Sequence, residues 1–383
     1  MAGRACVLAT PELAHEVLHS PPGRYRAGAA NRRILPVLPQ GTLLTMDGAE
    51  HRARRGALAP LFHGDSLQAM APIIREIAAT ELERWPVGRP FAVLPRTRFM
   101  TLCIAARLVL GIEGQQLVGE LERHLSDALR PYSMLAGVHR LERLGPASPQ
   151  AFAIRCRAGF AHGVAKVRGA RESGQHEGPT DAVDLLCAAA GPDGRLDDPE
   201  VADELFALLL AGHETTATAL AWAVELLARD PATAAALADE TRAEDRPLLD
   251  STVLEALRLR PPLVDIVREL TEPARLGGHE LPAATLILIP PTLIHRHTQP
   301  AGESFLADRF LGRRPDPRTW LPFGGGERRC LGASLALLEL REILAQLIKR
   351  FELHPAGKHP EAAGLHGTAL IPASGTRVLL RPR

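Results

Sequence analysis

The residues best suited to chemistry form one run, Pro322-Phe323-Gly324-Gly325-Gly326-Glu327-Arg328-Arg329-Cys330-Leu331-Gly332, in which a glycine-rich turn delivers a single cysteine to the edge of a helical pattern. Unpaired amides and positive potential at a helix N-terminus favour thiolate over thiol. Glycines let the backbone approach whatever the sulfur binds. A phosphate loop would also suit Arg328 and Arg329, but it needs a Lys-Ser/Thr pair and a preceding strand, which this run lacks. A second cluster, Ala211-Gly212-His213-Glu214-Thr215-Thr216, sits inside the longest helical pattern. Threonines beside a glycine make a locally weak helix whose carbonyl ladder can open to water; the alternative is a plain core helix with a polar step. Glu255 and Arg258 stand three apart on a helix. His51 and Arg55, four apart, share a helix face suited to gripping carboxylates. His295 and His297 lack a third ligand at metal spacing, which favours a loop or carboxylate contact over a metal site.

Periodicity predicts helices at residues 10–19, 51–62, 67–84, 97–110, 115–128, 151–171, 181–190, 199–229, 231–242, 247–260 and 330–351. Strand-like stretches are few: 6–9, 274–276, 286–290 and 377–381. Residues 296–326 read as one long irregular segment, and 169–180 as an exposed helix connection. No repeat or linker divides the chain, so residues 1–383 are expected to form a single, mainly α domain with small sheets.

A hydrophobic fraction of 46% with 23% charged residues excludes a disordered or fibrous chain. The 45 basic and 44 acidic residues leave a net charge of +1, too balanced for a nucleic-acid or membrane-surface binder. Five unpaired cysteines fit a reducing cytoplasm, with Cys6, Cys103, Cys156 and Cys187 expected as small buried hydrophobes. The most apolar run stops at His213, so neither an export signal nor a membrane span is expected.

The pattern F-x-x-G-x-R-x-C-x-G, filled by Phe323, Gly326, Arg328, Cys330 and Gly332, resembles the haem-thiolate signature of the cytochrome P-450 monooxygenases. Further motifs follow in that family's order. Ala211 to Thr216 resembles its distal helix, Glu255-x-x-Arg258 with Arg309 its buried Glu-Arg-Arg trio, and His51-x-x-x-Arg55 its haem-gripping pair. The resemblance implies a cytochrome P-450 fold of the soluble bacterial type, with a long central distal helix and a Cys-ligand loop. It implies Cys330 as the metal ligand of haem b, its thiolate pushing electron density onto iron. By the same resemblance His51, Arg55, Arg268, Phe323, Gly326, Arg328 and Gly332 bind the cofactor, with Phe323 packed near the sulfur and Arg328 facing a haem propionate. Ala211, Gly212, Glu214 and Thr215 are implied as the oxygen-activating group, with Thr215 favoured over Thr216 and Glu214 reaching toward solvent.

The resemblance further implies dioxygen, a lipophilic small-molecule substrate, a ferredoxin or flavodoxin redox partner and a monomer. The substrate pocket is expected near residues 34–44, 263–266 and 367–370. Oxidative coupling, desaturation, C–C cleavage or a non-turnover haem sensor are the rival outcomes. A donor-docking patch is expected from Arg52, Arg54, Arg313, Arg314, Arg329 and Arg341. The stretch before Cys6 is short for this family, which implies a chain without the first helix and strands, or an upstream start. Apolar surface is then expected to be exposed between Val7 and Leu18.

Overall fold

The computed structural model describes residues 4–35, 38–111, 118–119, 160, 181–189, 198–243, 245–298 and 302–383. Its helices are α1 (Pro11–Leu18), α2 (Ala27–Ile34), α3 (Gly48–Leu58), α4 (Gly64–Leu82), α5 (Leu94–Leu110), α6 (Ala182–Ala189), α7 (Asp198–Arg229), α8 (Pro231–Glu240), α9 (Pro247–Leu259), α10 (Pro291–Thr298) and α11 (Ala333–Arg350). The strands are β1 (Ala5–Val7), β2 (Tyr25–Arg26), β3 (Phe91–Ala92), β4 (Ile266–Leu270), β5 (Ala274–Leu276), β6 (His279–Leu281), β7 (Leu286–Ile289), β8 (Phe351–Pro355), β9 (Ala363–His366), β10 (Ala369–Pro372) and β11 (Arg377–Pro382). The helices expected at 115–128 and 151–171, and Cys156, lie almost wholly outside the described residues.

The axis of the fold is α7, whose 32 residues span about 48 Å at helical rise. It is buried on most sides, with Leu205, Phe206, Leu209, Leu220, Trp222 and Leu227 each at most 1% exposed. A helix apolar nearly all round needs neighbours all round, and α5 is the most extensive of them. Two α5 threonines fix the pairing: Thr97 donates to the Ala217 carbonyl at 3.0 Å and Thr101 to the His213 carbonyl at 2.9 Å. β1 joins β7 in parallel, and β7 and β2 flank β4 antiparallel, giving the sheet β1-β7-β4-β2. The remaining sheets are β3-β11-β8, β9-β10 and β5-β6.

Several expectations change here. Strands β2, β3, β4 and β6 were not foreseen, and β8, β9 and β10 were expected only as short strand signals in the tail after residue 351; β2, β3 and β6 are too short to show alternation, and β2 and β3 find partners far along the chain. Helix α2 was not foreseen either; its sequence, AGAANRRI, has little apolar periodicity, and its start is held by Asp47, whose carboxylate accepts from the amides of Gly28 and Ala29. The irregular segment opens instead with α10. Among the large apolar side chains from Val7 to Leu18 only Val7 is exposed, at 58%; Leu8, Val17 and Leu18 are buried.

The Glu255 trio is present and fully internal. Glu255 accepts from Arg258 at 2.6 and 2.9 Å and from Arg309 at 2.9 Å, and none of the three is more than 6% exposed. Glu255→Ala would leave two buried guanidinium groups without their carboxylate, so it should cost about 3–5 kcal/mol. Thermal unfolding checks this, and an equally large effect for Asp239→Ala, which breaks the exposed Asp239–Arg242 pair, would contradict the account.

His295 is neither a metal ligand nor a carboxylate contact. It is 0% exposed, accepts the Leu321 amide at Nε2 (2.7 Å) and must therefore donate from Nδ1 to the Arg258 carbonyl (2.7 Å). Burial pushes its pKa down from 6.5 to about 4. The unfolded chain thus binds the proton first, so the stabilisation is complete above pH ~6.5 and is lost as pH falls toward 4. At about 1.4 kcal/mol per pH unit this amounts to roughly 3 kcal/mol. Urea unfolding across that window should show the loss, and His295→Gln should show a shallower slope than the native chain; equal slopes would overturn the assignment.

Candidate functional site

A cavity of about 430 Å³ opens between α7 and the Cys330 loop. Ile34, Leu38, Leu108, Val109, Leu208 and Leu257 are among its many apolar lining residues. His51, Arg55, Arg268, Phe323, Arg328, Cys330 and Gly332 line it too, as do Ala211, Gly212, Glu214, Thr215 and Thr216. The three pocket stretches expected from sequence all contribute: Ile34 to Leu44, Leu263 to Ile266 and Gly367 to Ala369. Residues nearly three hundred positions apart thus share one space.

Cys330 sits three residues before α11. Its amide donates to the Phe323 carbonyl at 2.9 Å, closing the turn. The thiol is pushed up by burial, against the opposing pull of the Gly332 amide, Arg329 and Arg55. The Cys330 side chain nonetheless opens onto the cavity, and a metal bound there would favour the thiolate outright. Gly326 serves the packing of the turn. With φ +65°, a Cβ there would lie 1.9 Å from the Leu18 carbonyl, so the glycine lets the loop seat against the end of α1.

Four of the nitrogen-bearing side chains that line the cavity, His51, Arg55, Arg268 and Arg328, have different freedom. The Nδ1 atom of His51 is buried and makes no hydrogen bond, with Glu327 Oε1 3.6 Å away, and burial with nearby Arg328 and Arg55 lowers its pKa to about 4, so it is a neutral donor or acceptor. Arg55 lines the cavity without a carboxylate salt bridge among the described residues. Arg268 is 5% exposed, and burial with Arg328 beside it brings its pKa down to about 10. Arg328 spends Nη1 on the Met46 carbonyl and Nη2 on those of Leu43 and Leu44, at 2.8–3.3 Å, so it braces the 43–46 loop as well as facing the cavity.

The distal segment differs from expectation in two respects. Helix α7 runs unbroken through residues 211–216; the Thr215 hydroxyl donates back to the Ala211 carbonyl at 2.8 Å and Thr101 to that of His213 without opening the ladder. Ala211 and Gly212 are exposed toward the open space, and nothing lies within 4 Å of a Cβ built on Gly212. Glu214 does not reach freely to solvent: it is 9% exposed, paired with Arg98 of α5 and 3.6 Å from His366. His213 is buried, with Nδ1 on the Leu209 carbonyl, as a packed rather than a ligating side chain.

Sequence reasoning missed Glu204. It is fully buried in α7, accepts the Leu43 amide at 3.0 Å and pairs with Arg54 at 2.9 Å. An acid within the apolar stretch 201–210 was the available signal. The pair removes Arg54 from the expected docking patch. Arg52 and Arg341 are partly neutralised as well, by Glu327 at 3.5 Å and Asp250 at 3.4 Å. Arg313, Arg314 and Arg329 remain exposed.

An apolar cavity bearing one thiol, an orphaned buried imidazole nitrogen and two to three arginines suits a flat apolar dianion bound through iron, and these residues fit a haem. The arrangement is that of a haem-thiolate protein. The family model described as Cytochrome P450 matches residues 2–379, and the chain belongs to that family. It is 34% identical to a Mycobacterium tuberculosis relative that bears the name cytochrome P450 135B1, over 99% of this chain and 82% of that one. Cytochrome P450 138 of the same organism is 33% identical, over 100% and 88%. Among solved structures, retinoic acid-bound cyanobacterial CYP120A1 superposes with a TM-score of 0.84 at 26% identity, covering 98% of this chain and 89% of that one. A six-coordinated cytochrome P450 from Thermus thermophilus gives 0.72 at 27% identity, covering 99% and 92%. The chain is a haem monooxygenase in this general sense, and no described helix is long and apolar enough to cross a membrane.

Proposed function

We propose that this chain, acting as a single-domain cytoplasmic monomer, uses haem b to insert one atom of dioxygen into a lipophilic small molecule, with electrons from a ferredoxin or flavodoxin. The observation that carries this reading is the shared apolar cavity faced by Cys330 on one side of the sequence and Ala211–Thr216 on the other. Cys330 would ligate the iron, the Gly332 amide would donate to its sulfur, and His51, Arg55 and Arg268 would hold the propionates. Covalent haem attachment is disfavoured because no C-x-x-C-H motif occurs. When bound, the haem supplies dioxygen activation and oxygen-atom transfer.

The chain's own part is to position, to exclude water and to move protons. Apolar side chains keep the cavity dry, which strengthens each remaining polar contact. The Thr215 hydroxyl can rotate from the Ala211 carbonyl to donate into the cavity, while Glu214, about 100° around the helix, carries the proton behind it. A lipophilic substrate is supported by the lining and by the retinoic acid held by the cyanobacterial neighbour.

Difference spectra with a panel of lipophilic compounds test the substrate class; binding by polar compounds alone would refute it. The donor reading is supported by exposed Arg329 beside the cysteine. Reduction should slow with added salt and slow further in Arg329→Glu. Salt-independent reduction, with Arg329→Glu unchanged, would remove it.

A further inference from the structure

We infer that His366 is the residue through which protons enter the Glu214 carboxylate, a role that rests on the proton-carrying reading of Glu214 above. Three elements converge on this carboxylate: Arg98 from α5, Glu214 itself on α7, and His366 at the end of β9. The Nδ1 atom of His366 lies 3.6 Å from Oε1 of Glu214, the same oxygen that Arg98 holds.

Glu214 cannot draw readily on bulk water, since its side chain is only 11% exposed, whereas that of His366 is 27% exposed. The ionisable neighbours on the surrounding elements are Arg98, His213 and His366. Arg98 stays charged and does not release protons. His213 is fully enclosed, its Nδ1 turned onto the Leu209 carbonyl of its own helix. His366 alone of the three combines exposure with proton exchange near neutral pH. Burial draws its pKa below the ordinary histidine value, Glu214 pulls it back up, and Arg98 lowers it again.

The step balances simply. A solvent proton, arriving as hydronium and leaving water behind, enters at Nε2, and the Nδ1–H proton passes to Oε1 of Glu214, the oxygen that Arg98 also holds. The imidazole is left neutral with its proton on Nε2, and a ring flip restores the starting tautomer. No electron moves. His366 and Glu214 both line the cavity, as do Gly367–Ala369, so the entry point lies on the hairpin that walls the substrate space.

The test uses the haem-loaded protein with its redox donor. His366→Gln keeps a polar side chain of similar reach but cannot carry a proton. Turnover should fall about tenfold, below the 10²-fold or more of a complete acid–base defect because water can substitute in part. The decline of turnover at rising pH should flatten, and substrate affinity by difference spectra should hold. A second readout needs no turnover: the His366 imidazole titrated by NMR in labelled protein should shift to lower pH in Glu214→Gln. Unchanged turnover and pH profile in His366→Gln, an equal loss at every pH, or an unmoved titration in Glu214→Gln would each overturn the relay. If Glu214→Gln itself turned over normally, the reading of Glu214 would fail; if it slowed turnover while His366→Gln did not, only the His366 role would fall.

Discussion

Cys330→Ser should abolish the red-shifted Soret band of the reduced, carbon monoxide-bound protein and take turnover to background. The cysteine is the one thiol lining the cavity among the described residues, and its loop is fixed independently of it: the residue-330 amide closes onto Phe323, Gly326 seats on the Leu18 carbonyl, and Arg328 braces residues 43–46. A hydroxyl at residue 330 therefore keeps the fold but loses a soft, charge-donating ligand. Groups that merely support a metal ligand are worth about 10- to 100-fold, so removal of the ligand itself should cost more. Because burial pushes the free thiol up, uptake of haem should release a proton from Cys330 and weaken as pH falls. Haem titrations monitored for proton release check this. A red-shifted band that persisted in Cys330→Ser would refute the ligand assignment.

Thr215→Ala should leave haem content, Soret position and substrate affinity intact while diverting electrons to peroxide. Its hydroxyl is the one in the 211–216 segment that lines the cavity with a rotatable bond to the i−4 carbonyl, whereas Thr216 is 4% exposed. Loss of a well-placed proton donor costs on the order of 10²-fold or more. Glu214→Gln should slow turnover more than it uncouples it, since the amide oxygen still accepts from Arg98 but the group cannot take up and pass on a proton. Product yield per electron consumed separates the two. If Thr216→Ala uncouples and Thr215→Ala does not, the roles are exchanged; if neither does, the distal segment does not deliver protons.

Local pattern was enough for a good part of this protein. The amphipathic and buried helices α1, α4, α5, α7, α8 and α9 were legible because their period and their Pro, Gly and Asp boundaries are written in adjacent residues. The Cys330 turn, the distal segment and the Glu255–Arg258 pair were legible because side-chain types at fixed short spacing carry them, whereas Arg309, 54 residues from Glu255, was legible only through the family resemblance. What the sequence could not state was which charges would meet. Arg52 and Arg54 look alike on α3, yet Arg54 is fixed on Glu204 of α7, 150 residues away, while Arg52 stays half exposed beside Glu327. Glu214 reads as a free acid until α5 brings Arg98 and the β9 strand brings His366 to it. The two-residue strands β2 and β3 likewise exist only because distant β4 and β11 complete their hydrogen bonds. Even the setting of Cys330 was a tertiary matter: burial raises its pKa, while the Gly332 amide, Arg329 and, from α3, Arg55 lower it. Spacing along a chain determines what a helix face or a turn can offer; desolvation and partner choice depend on atoms that only the fold brings within reach.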